Sequence, residues 1–200
     1  MNTGHTITIN GITLAGPAVA RQNELFTGGA LEFLATLHKE FGHRVAALGL
    51  QVGKDSLKGW QDLVDRHLNE PPSSFISPRR LSKAESRILC GSAPVSAGIV
   101  DFGLHVYRNS RRLLSEGRAP FISLPGTEGE DELELWQELF IRAEDLLDLP
   151  EGTIRAIHLS AGEPDMDDDE DGSESSAAVL MMRTTGSIPT VKESAGGSQR

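Results

Sequence analysis

Between residues 121 and 159 the chain passes from an apolar run to an amphipathic stretch and back to an apolar run, and that alternation constrains its fold more than any other feature. Phe121 to Leu124 has the length and composition of a buried strand. Over 132–147, Leu135, Trp136, Leu139, Phe140, Ala143, Leu146 and Leu147 fall on one side of a helix. Residues 154–159 are strand-like again. Parallel strands need a crossover, ordinarily a helix, so this order predicts an α/β architecture with parallel strands.

The rest of the chain supplies further units. Residues 6–14 alternate, with Ile7, Ile9, Ile12 and Leu14 apolar, as in one short half-buried strand. Leu31, Phe33, Leu34, Leu37, His38 and Phe41 recur at helical spacing, which predicts a helix over 29–41 with Thr27 as its N-cap and Gly42 as its stop. Gly28 and Gly29 weaken its first turn by about 1 kcal/mol. Pro71 to Ser74 reads as a turn, 76–81 as a strand end, and 88–96 as a strand and turn. Val100, Leu104, Tyr107, Leu113 and Leu114 place 99–114 on a helix packed against the sheet. Ala177 to Met182 is an apolar island that suits an added strand.

A chain of 200 residues can bury a real core but is short for a complete eight-fold barrel with insertions. Its net charge of −10 argues against nucleic acid and anionic membrane as partners. Most of that charge is local: Glu163, Asp165, Asp167, Asp168, Asp169, Glu170, Asp171 and Glu174 carry it, so the remainder is close to neutral. That composition predicts a disordered acidic tail over 163–200. Asp167 to Gly172 repeats the opening half of an EF-hand loop, but the twelfth place is Ala178, so the tract reads as solvated acid. The single Cys90 excludes an intramolecular disulfide and fits a reducing compartment. With no signal-like or membrane-length apolar run, the expected location is the cytoplasm.

Specific wording adds a family. Pro120-Phe-Ile-Ser-Leu-Pro-Gly-Thr-Glu128, Leu135-Trp136-Gln-Glu-Leu-Phe140 and Leu149-Pro-Glu-Gly-Thr-Ile-Arg-Ala156 resemble three consecutive motifs of malate synthase. Ile99-Val-Asp-Phe-Gly-Leu-His-Val-Tyr-Arg-Asn109 resembles the family's Leu-Phe-Asp-Phe-Gly-Leu-Tyr-Phe-Phe-His-Asn. The helix after Thr27 is similar to its N-terminal helix, and Asp55-Ser56-Leu57 with Trp60 to Leu63 to a further segment. The resemblance implies a partial TIM barrel of strand-helix units. It divides the chain into an N-terminal strand and helix segment (1–50), a malate-synthase-like partial barrel (51–162) and the tail (163–200). The Ser198-Gln199-Arg200 ending differs from the Ser-Lys-Leu peroxisomal address of some relatives.

The family condenses acetyl-CoA with glyoxylate, using a carboxylate base, a cation for the enolate oxygen, and Mg²⁺. By resemblance these are the expected substrates and cofactor. The family's first arginine in Val-Arg-Pro-Arg-Gly corresponds to Ser77, while Arg79 keeps the second. Arg79 is therefore a candidate catalytic cation, or else a surface or phosphate-facing arginine. Glu128, at a strand end, is a candidate catalytic acid or a helix cap. The metal glutamate corresponds to Ala161, and Glu163, two residues on and so on the same strand face, is the candidate metal ligand. Gly162 and Pro164 beside it favour a loop. Asp101 and Trp136 read as structural, and His158 as a packed histidine. With key positions substituted, the resemblance implies an activity impaired in this chain alone, that is, a pseudoenzyme. The alternative is a non-catalytic interaction protein, or a truncated product, that uses the barrel remnant and the acidic tail to bind a partner, or that associates with itself through an incomplete barrel edge.

Overall fold

A computed structural model describes residues 7–53, 56–69, 73–124, 129–160 and 178–182. The alternating N-terminal run is two strands rather than one. β1 (Ile7–Ile9) and β2 (Ile12–Leu14) pair antiparallel across Asn10-Gly11, whose φ values of 51° and 83° are those a two-residue hairpin turn demands. Asn-Gly inside an alternating run is itself a hairpin signal.

After α1 (Gln22–Leu25), Thr27 caps α2 (Gly28–Ala47), its hydroxyl accepting from the Ala30 amide at 3.3 Å. The helix runs through Gly42 instead of stopping there. The His38 ring lies over that glycine, 2.9 Å from where a Cβ would stand, and Phe41 and Val45 on either side are buried. A helix with a face still to bury continues past a weak helix former. Gly29 has a packing reason of its own, since Tyr107 Oη occupies the space of its absent side chain.

β3 (Gln51–Val52), α3 (Leu57–Asn69) and β4 (Phe75–Ile76) follow, and of the expected strand end at 76–81 only Ile76 is in a strand. β5 (Lys83–Cys90) and β6 (Ala93–Ser96) form a hairpin, and Ser96 caps α4 (Ala97–Ser115). α4 is the central helix: every residue from Ala97 to Val106 is buried. It meets α2 closely enough that a Cβ on Gly103 would lie 2.6 Å from Leu34.

β7 (Phe121–Leu124), α5 (Glu130–Leu146), β8 (Arg155–Ser160) and β9 (Ala178–Met182) complete the order. Phe102 of α4 stacks edge-on against Trp136 of α5 and tilts against Phe140, filling the space between the two helices. Glu144, buried near the end of α5, accepts the amides of Gly152 at 3.0 Å and Ile154 at 2.6 Å. That clasp shapes the turn delivering β8 into its sheet.

Two sheets result. One has the order β1-β2-β5-β3, with β6 also on β5, and the other the order β4-β7-β8-β9. In the second, β4, β7 and β8 are parallel, as the strand-helix alternation requires, and Phe75, Phe121 and Arg155 are in register. The 177–182 island becomes β9, antiparallel to β8. Ile122, Leu124 and Ala156 turn to the buried side of this sheet, while Phe75, Phe121, Ser123, Arg155 and Ile157 alternate to the other. No helix among the described residues is long and apolar enough to cross a membrane.

Candidate active site at the strand ends

Parallel strands of barrel type carry their chemistry at their C-terminal ends. In this chain those ends lead into Ser77 to Arg80 after β4, residues 125–128 after β7, and residues from 161 after β8. Glu128, Glu163 and Ala161 lie outside the described residues, as do the side chain of His158 and the acidic tract. Arg79 is therefore the one sequence-derived site residue whose surroundings can be read.

Its guanidinium is held by two carboxylates. Asp101, on the first turns of α4, accepts from Arg79 Nε at 2.8 Å and Nη2 at 2.7 Å, and also from the Arg79 backbone amide at 3.0 Å. Glu85, on β5, accepts from Nη1 at 2.8 Å. Both acids are buried, with side chains 3% and 8% exposed against 27% for Arg79. Burial opposes the Arg79 charge, but the hydrogen bonds and charges of Asp101 and then Glu85 outweigh it, so its pKa is raised. A fork of this kind is a strong way to fix a guanidinium. It joins the end of β4 to α4 and to the other sheet.

Asp101 thus has the structural part its sequence context suggests, now with a named partner. Glu85 was not singled out by sequence. The available signal is an acid within a strand whose neighbours Ala84 and Ile88 are buried. Beside Arg79, a cleft of about 170 Å³ is lined by Ser56, Trp60, Lys83, Glu85 and Ser86. Further along α4, His105 is buried with its Nε2 unpartnered, and the half-buried His67 of α3 interacts electrostatically with both His105 and Asp101. Burial pushes the pKa of each histidine down to about 4. Both rings are neutral at pH 7 and supply no cation.

Among the described residues, no group of three His, Cys, Asp or Glu is arranged to hold a metal ion. Asp101 and Glu85 converge, but on a guanidinium, so this donor set does not fit Mg²⁺.

Residues 75–162 match the family model of the malate synthase TIM barrel domain. That segment is similar to the malate synthase barrel domain, and it makes up less than half of the chain. The malate synthase of Streptomyces arenae is 37% identical over 102 residues, which cover 51% of this chain and 15% of the relative. The glyoxysomal malate synthase of Cucurbita maxima is 38% identical over 116 residues, 53% of this chain and 20% of the relative. The bifunctional glyoxylate cycle protein of Caenorhabditis elegans is 35% identical over 84 residues, 42% of this chain and 9% of the relative. The malate synthase-like chain thus matches about half of itself to a fifth or less of these proteins. Within the matched segment lie β4, Arg79, α4, α5 and β8, so the Arg79–Asp101 fork sits inside barrel-type units.

Proposed function

We propose that this chain is a malate synthase-like barrel unit that does not by itself condense acetyl-CoA with glyoxylate. The observation that supports this reading is the state of Arg79. The arginine at the end of β4 is bound by two buried carboxylates, and the position two residues before it is Ser77. A guanidinium whose charge is matched by Asp101 and Glu85 offers little stabilisation to a developing enolate oxygen, which needs an uncompensated donor aimed at it. Freeing Arg79 would leave two carboxylates buried without a cation, which is costly. The acetyl-CoA, glyoxylate and Mg²⁺ chemistry of a whole malate synthase is therefore assigned to a larger assembly of barrel units, and the part left to this chain is binding.

The test is a thiol-release assay on the purified full chain with acetyl-CoA, glyoxylate and Mg²⁺, alongside Glu128→Ala and Glu163→Ala variants. The expected result is release indistinguishable from a protein-free control, in a sample whose circular dichroism shows it folded. Turnover above background that disappears in either variant would overturn the proposal and place the chemistry on the two glutamates.

A further inference from the structure

Among the described residues, β4, β7 and β8 are covered on one side of their sheet only. Ile122, Leu124 and Ala156 are at most 4% exposed, whereas on the other side Phe75 is 56% exposed and stacks on Phe121 with ring centroids 5.1 Å apart. Arg155 continues this ladder on the next strand, its guanidinium 5.7 Å from the Phe121 ring centre. A cleft of about 620 Å³ opens at that end of the strands, with Phe75, Phe121, Pro150, Glu151 and Arg155 on its walls. In a closed barrel this side of a sheet faces the interior and is packed by the opposite strands. Among the described residues, no strand lies across it.

We infer that this face docks on the same face of a second copy of the chain. The argument for a copy, over an unrelated protein, is that the patch is complementary to itself. It carries an exposed cation, Arg155, and an exposed anion, Glu151, in one cleft, and neither forms an ion pair among the described residues. Under a two-fold axis each residue i meets j and each j meets i, so Arg155 of either protomer faces Glu151 of the other and both pairs form together. The aromatic rungs then meet at the centre, where stacked or tilted rings pack well. The inference rests on reading the chain as a barrel unit whose inner face is open.

The face spans only three parallel strands, so the contact lies at the small end of specific interfaces, below about 1,200 Å² in total. A weak dimer follows, with a dissociation constant on the order of ten micromolar or above.

Sedimentation velocity on the full chain, over about 1 to about 500 µM, brackets such an affinity. The mass is expected to rise from monomer to dimer across this range. Phe75→Ala, at an exposed position that leaves folding intact, should weaken assembly tenfold or more. Arg155→Glu and Glu151→Arg should each abolish it, and the double variant Glu151→Arg/Arg155→Glu should restore it. Monomer throughout overturns the inference, as does a dimer indifferent to Phe75→Ala or one that the double exchange does not rescue. The two proposals fail separately, since an inactive monomer sinks only this one and a catalytically active dimer sinks only the other.

Discussion

Replacing Asp101 with alanine should destabilise the protein by about 3 kcal/mol, and the structure sets that figure. Asp101 accepts three hydrogen bonds from one residue, two from the Arg79 guanidinium and one from its backbone amide. Breaking a buried ion pair by deleting one partner costs about 3–5 kcal/mol, because the other charge stays behind uncompensated. Arg79 is 27% exposed and keeps Glu85, so water and the remaining acid recover part of the loss and the lower end applies. Urea unfolding followed by the fluorescence of Trp60 and Trp136, both buried, reads the change directly. The cycle is completed by Arg79→Met and by Arg79→Met/Asp101→Leu. The double variant removes both charges, so it should be less destabilised than the sum of the singles by about 2 kcal/mol. A loss below about 1 kcal/mol for Asp101→Ala, or strict additivity in the cycle, would refute the view that this fork joins the two sheets.

Stability should fall as pH drops from 6.5 toward 4, because His105 and His67 titrate near 4 in the folded chain against 6.5 when unfolded. The unfolded state takes up protons first in that window, so the native state loses ground there, by about 3 kcal/mol for buried His105 and less for half-buried His67. A His105→Gln variant should show a flatter pH profile in the same unfolding assay. Glu144→Ala should cost about 2–4 kcal/mol, since the amides of Gly152 and Ile154 lose their acceptor; a hydrogen-exchange experiment should find those two amides deprotected first. Two glycines on the α2–α4 seam should diverge in thermal melts. Gly103→Ala should lower stability by about 1–3 kcal/mol because its Cβ would press on buried Leu34, whereas Gly29→Ala only displaces the partly exposed Tyr107 and regains helix propensity.

What sequence determined here is what local periodicity and local chemistry encode. The apolar stripe of α5, the short runs of β7 and β8, the cap at Thr27 and the parallel order of the strands were all legible, because each depends on residues a few positions apart. The wording from Pro120 to Ala156 was likewise enough to reach the family that residues 75–162 match. The hairpin at Asn10-Gly11 was also encoded locally, and reading its alternation as one strand gave too little weight to the turn.

Tertiary structure decided the rest, and in each case a partner distant in sequence did so. Gly42 could stop a helix, but the burial of Phe41 and Val45 carries α2 through it. An arginine after a strand could have served a substrate. It is committed because α4 brings Asp101, 22 residues on, to one side of its guanidinium and β5 brings Glu85 to another. The apolar island at 178–182 could have packed anywhere, and pairing with β8 makes it an edge strand. Nothing local tells Phe121, half-buried, from Ile122, fully buried. The pleat sends them to opposite faces, and only the packing of helices on one of those faces makes one residue core and leaves the other open to a second chain.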